Sequence, residues 1–121
     1  MQQGHHLERA SMNTRLKYLE EHEWLKLAQQ AEWSVSRLAK LCSVSVRGLE
    51  LYFHAKIGRT PKKWLVEQRQ KQAVILLLDG YLVKEVSSQL AYKQPNHFSR
   101  EFKRQIGYCP TQINPIGPKT G

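Results

Sequence analysis

"FKRQIGYCP" occupies Phe102 to Pro110, and forty-nine residues earlier "FHAKIGRTP" occupies Phe53 to Pro61. Each is a phenylalanine, three residues, Ile-Gly, two residues and a proline. A glycine just past a helix end supplies the left-handed conformation that closes it. A proline at the first position of a helix loses nothing, because the N–H it lacks has no intrahelical partner there. The string therefore describes the end of one helix and the start of the next, and the chain of 121 residues contains it twice. A repeat on this scale reads as two copies of one supersecondary unit, each too small to bury much apolar surface alone.

The apolar spacing around the two strings fills in the elements. Leu16, Leu19, Trp24, Leu27, Ala28 and Ala31 recur at helical intervals and predict a first helix from Thr14 to Ala31. Ser34 is placed to cap a second helix over Val35–Cys42. Ser45 is placed to cap a third over Val46–Ile57, with Leu49, Tyr52 and Phe53 inward and Gly58 as its stop. Thr60-Pro61 opens a fourth helix that runs to about Leu78 and ends at Asp79-Gly80. A fifth spans Val83 to Leu90. Pro95 opens a sixth that runs to Ile106 with Phe98 and Phe102 inward, and a last short helix lies near Thr111 to Ile113. A short helix, a tight turn and a longer helix make a helix-turn-helix, here written twice. The expected fold is all-α: two helix-turn-helix subdomains, homeodomain-like three-helix units, joined by a long linker helix. The expected boundaries are residues 1–13 as a disordered segment or cloning remnant, 14–60 as the first subdomain, 61–79 as the linker helix, 80–113 as the second subdomain and 114–121 as a flexible tail.

Charge narrows the function. The formal net charge is +9, and it is unevenly placed: residues 1–32 hold four basic and five acidic side chains, residues 33–121 fifteen basic and five acidic. A compact basic segment attracts polyanions, nucleic acid first and an anionic membrane surface second, and a soluble basic surface is the plain alternative. The longest apolar run, Ala73 to Leu78, is far short of the ~20 residues of a membrane span. Cys42 and Cys109 are too few and too far apart for a disulfide framework or a zinc site. His22-Glu23 lacks the second histidine of a zinc-hydrolase helix, because position 26 is Lys26, and no phosphate-binding loop or nucleophile elbow is present. An enzyme is not expected, nor a cofactor or a metal.

The most specific stretch, "YKQPNHFSREFKRQIGYCP", strongly resembles the second-unit signature of the AraC/XylS family of bacterial transcription regulators. "LAKLCSVSVRGLELYFHAKIGRTPKKWL" is similar to the first unit, and "RQKQAVILLL" to the family's linker helix. The resemblance covers about Thr14 to Ile113. It implies a sequence-specific, double-stranded DNA-binding regulator, an activator acting in the bacterial cytoplasm, that inserts its third and sixth helices into successive major grooves. Its implied partners are DNA and RNA polymerase, with no membrane. The chain is expected to be monomeric, either as a complete small regulator or as the C-terminal part of a longer one whose further domain binds an effector or dimerises. An architectural protein that bends DNA with little readout is the alternative. Family turns usually carry glycine where this chain has Ser43 and Ala91.

Recognition helices present their N-terminal residues to base edges. In the third helix the outward set is Arg47, Glu50 and Leu51, suited in turn to guanine, the cytosine amino group and a thymine methyl; Glu50 paired with Arg47 on the helix surface is the plain alternative. In the sixth helix the set is Asn96, His97 and Arg100, onto which the resemblance maps the family's base contacts. Phosphate candidates are Arg59, Thr60, Lys62 and Lys63 at the start of the fourth helix, Lys93 and Gln94 in the second turn, and Lys103 and Arg104 on the sixth helix. Arg69 and Lys71 read as a solvated face. Trp33, Trp64 and Tyr92 read as core, and Cys42 as a small buried hydrophobe.

Overall fold

The computed structural model describes Leu16 and residues 19–113. The segments 1–13 and 114–121, and most of the first predicted helix before Leu19, lie outside the described residues. The helices are α1 (Glu21–Gln30), α2 (Val35–Leu41), α3 (Val46–Lys56), α4 (Pro61–Leu78), α5 (Val83–Gln89) and α6 (Pro95–Ile106), followed by a short 3-10 turn at Pro110–Gln112. Among the described residues the secondary structure is entirely helical. Two compact units divide within α4, between Leu65 and Val66.

The first unit is α1, α2, α3 and the first turn of α4. α1 starts later than the apolar spacing suggests, because Glu20 is extended at φ −86° and ψ 166°. The Glu23 carboxylate accepts from the Glu20 N–H at 3.0 Å, which starts a new helix at that point. Ser34 Oγ accepts from the Arg37 N–H at 3.4 Å and Ser45 Oγ from the Gly48 N–H at 2.9 Å, so both serines cap as their positions imply. Phe53, fully buried, is the centre of the core. Trp24 and Trp64 meet it edge-on, with centroids at 5.2 and 5.5 Å, the offset geometry that ring quadrupoles favour. Trp33 and Cys42 are also buried.

The second unit is the rest of α4 with α5, α6 and the 3-10 turn. Phe98 and Phe102 are fully buried, edge to face at 5.6 Å. They pack in the same unit as Ala73, Leu77, Val86 and Leu90, all buried. The last element is one turn of 3-10 helix opened by buried Pro110 rather than a full α-helix.

The turn inside each unit closes in the same way. Val44 N–H donates to Ala39 O at 3.0 Å and Ser43 N–H to Lys40 O at 3.0 Å. In the second unit Tyr92 N–H donates to Ser87 O at 3.0 Å and Ala91 N–H to Ser88 O at 3.1 Å. This pair of bonds is the Schellman closure, and it requires a left-handed residue. Ser43 and Ala91 supply it at φ 59° and 64°, a conformation that glycine adopts without a Cβ penalty.

Candidate nucleic-acid interface

The repeat sets the geometry of each recognition helix. In α3, Leu49 and Phe53 bury one side, which leaves Arg47, Glu50 and Leu51 exposed, Leu51 at 55 %. Among the described residues no ion pair joins Arg47 to Glu50, so the plain pairing is absent. In α6, Phe98 and Phe102 bury the matching side, and Asn96, His97 and Arg100 are exposed opposite them.

The remaining candidates fall into two places. Arg59, Thr60, Lys62 and Lys63 are exposed at the start of α4, where Thr60 Oγ1 accepts from the Lys63 N–H at 3.1 Å and caps the helix. Lys93, Gln94, Lys103 and Arg104 are exposed around α6. His97, Arg100 and Arg104 are brought together with Arg69, Tyr92 and Glu101 around one polar recess of about 220 Å³. Lys103 does not line that recess.

The floor of the recess holds the side chains that the sequence misassigned. Arg69 is not on a solvated face. Its side chain is only 16 % exposed. Nε and Nη2 donate to the Leu90 carbonyl at 3.0 and 2.7 Å, its guanidinium lies 3.6 Å above the Tyr92 ring, and Nη1 is 4.0 Å from Glu101 Oε1. Burial lowers its pKa, and the charges of Tyr92 and Glu101 oppose that shift. Tyr92 is half-buried rather than core, and its hydroxyl donates to Glu101 Oε1. Burial, then that hydrogen bond, raises the phenol above the ordinary tyrosine range. One sign was available in the sequence: Gln70, Ala73 and Leu77 share a buried stripe of α4 at helical spacing, and a glutamine in such a stripe needs buried partners. Lys71 is exposed as expected.

Comparison with known proteins gives the family. A helix-turn-helix domain family matches residues 38–114. The DNA-binding domain of AdpA, solved in complex with a target DNA, superposes with a TM-score of 0.63 at 28 % identity, over 79 % of this chain and 96 % of that one. The chain belongs to the AraC/XylS family. Its AraC-type relatives include the uncharacterized HTH-type transcriptional regulator YidL of Escherichia coli K12, 33 % identical over 74 % of this chain and 30 % of the relative. The HTH-type transcriptional activator RhaS of Salmonella schwarzengrund is 30 % identical over 86 % of this chain and 36 % of the relative. The chain thus spans about a third of the length of these relatives. Among the described residues no helix is long and apolar enough to cross a membrane.

Proposed function

We propose that this AraC-type chain binds double-stranded DNA sequence-specifically and regulates transcription as an activator, placing α3 and α6 in successive major grooves. The observation that carries the proposal is the exposed face of α6. Asn96, His97 and Arg100 stand opposite the buried Phe98 and Phe102, and asparagine and arginine are the side chains that match adenine and guanine edges in the major groove. Lys103 and Arg104 follow on the same helix and suit the phosphates that flank a groove. On α3, Arg47, Glu50 and Leu51 are the corresponding readers. At the start of α4, Arg59, Thr60, Lys62 and Lys63 hold the backbone, as do Lys93 and Gln94 before α6. Similarity to RhaS, named a transcriptional activator, supports activation, with RNA polymerase as the second partner and the cytoplasm as the place of action.

Selection of bound duplexes from a random DNA pool tests the proposal. A defined, asymmetric consensus is the expected result, because the reading side chains of the two units differ at every position. A pool that stays random while the protein still bends DNA would replace this proposal with an architectural one.

A further inference from the structure

Gln70 on α4, Tyr92 in the turn and Glu101 on α6 form a polar cluster within the second unit, and Arg69 lies across it. Gln70 is 1 % exposed. Its Nε2 donates to the Tyr92 hydroxyl at 2.7 Å and to Glu101 Oε1 at 3.2 Å. Its Oε1 is buried without a hydrogen-bond partner. An unpaired buried acceptor destabilises a fold, and an aliphatic side chain at 70 would carry none. Stability alone therefore does not account for glutamine at this position.

The cluster supplies something the rest of the α6 anchor lacks. Phe98 and Phe102 fix α6 through apolar contact, which is non-directional and tolerates a small rotation of the helix about its axis. Hydrogen bonds weaken steeply when misaligned, and a connected set of them selects one arrangement. Glu101 directly follows Arg100 and lies one turn beyond His97. Holding its carboxylate fixes the angle at which both neighbours leave the helix. All three line the same recess as Tyr92 and Arg69.

We propose that Gln70, Tyr92 and Glu101, braced by Arg69, are positioning residues for sequence readout: they lock the rotation of α6 and so aim His97 and Arg100 at base edges. The inference rests on the DNA-binding function proposed above. A slightly rotated α6 keeps its positive charge near phosphates, so non-specific binding survives. Base-edge contacts, which need placement to about 0.5 Å, do not. Loss of the cluster lowers the ratio of specific to non-specific affinity while the fold persists.

The test is the variant Gln70→Leu/Tyr92→Phe/Glu101→Met, which replaces the three mutually hydrogen-bonded side chains by apolar groups of similar size and leaves Arg69 its bonds to the Leu90 carbonyl. Its melting temperature is measured, together with its affinity for the selected duplex and for an unrelated duplex of equal length. The expected result is a cooperative melt that shows a folded protein, with a specificity ratio lower by roughly tenfold, about the discrimination of one bidentate base contact. A folded variant with an unchanged ratio overturns the proposal. If the triple variant does not fold, Tyr92→Phe alone decides, with a severalfold lower ratio expected and an unchanged one overturning. Glu101→Gln keeps an acceptor for the Tyr92 hydroxyl and should restore most of the ratio. Equal loss in Glu101→Gln and Glu101→Met overturns the hydrogen-bond mechanism. A readout without DNA separates this inference from the function it rests on. In the free protein, NMR relaxation dispersion should show new microsecond–millisecond exchange at the α6 amides of the triple variant, and its absence counts against the lock even if no duplex is bound.

Discussion

At the scale of single residues, the two turns hold strain that a substitution can release. Ala91 is exposed and left-handed at φ 64°, a conformation that costs an L-residue roughly 1–2 kcal/mol. Glycine removes that cost, but its freer unfolded chain returns about 0.4–1 kcal/mol. Ala91→Gly should therefore stabilise the chain by about 0.5–1 kcal/mol, raising the thermal midpoint by a few degrees. A lower midpoint in circular dichroism melts would mean that the Ala91 methyl makes a contact outweighing the strain. Tyr92 gives a pH dependence with a definite sign. Its pKa is raised in the folded state by burial and by the bond to Glu101, so the folded chain holds a proton that the unfolded chain loses near pH 10. Stability from this group is complete below that value and falls as pH rises beyond it. Tyr52, raised by burial, acts in the same direction. Alkaline titration followed by denaturant melts should show this decline, and Tyr92→Phe should flatten it.

At the scale of elements, most of the fold was legible because its signals are local. Caps at Ser34, Ser45 and Thr60, prolines at 61 and 95 and glycines at 58, 80 and 107 mark helix ends through their own backbone chemistry. The start of α1 was missed because a helical apolar spacing on both sides of Glu20 hides a cap made by one glutamate side chain on a neighbouring N–H. The candidate readers were legible as the residues opposite Phe53 and Phe102. The cluster beneath them was not, because Arg69, Gln70, Tyr92 and Glu101 are up to 32 positions apart in sequence and meet only after α4, the turn and α6 pack. The two recognition helices should differ in importance. A reader at Glu50 on α3 would carry a charge that phosphates repel, whereas the candidates on α6 are neutral or basic. Arg100→Ala should cost roughly 1–3 kcal/mol at the selected site and relax preference at one base pair, with a smaller loss for Glu50→Ala. Repeating the selection with each variant checks the order. Greater loss of discrimination in Glu50→Ala would make α3 the main reader.

At the scale of the whole molecule, charge decides how binding responds to salt. The excess of basic over acidic side chains lies entirely beyond residue 32, in the segment that carries both recognition helices. Each phosphate neutralised by a lysine or arginine releases condensed counterions, so the logarithm of affinity falls with the logarithm of salt at about −0.9 per contact. Lys63 is a clean place to measure one such contact. It is exposed, and only its backbone N–H serves the Thr60 cap, so truncating its side chain leaves the cap in place. It also lies on α4, outside the readers proposed on α3 and α6, and the phosphate contact proposed for it would position the chain without specifying a base. Lys63→Ala should weaken binding to the selected duplex and to an unrelated duplex by the same factor, and reduce the salt slope of each by about one unit. Titrations of both duplexes across a range of potassium chloride concentrations measure the two quantities together. A changed base preference with an unchanged slope would move Lys63 out of the phosphate set and into readout.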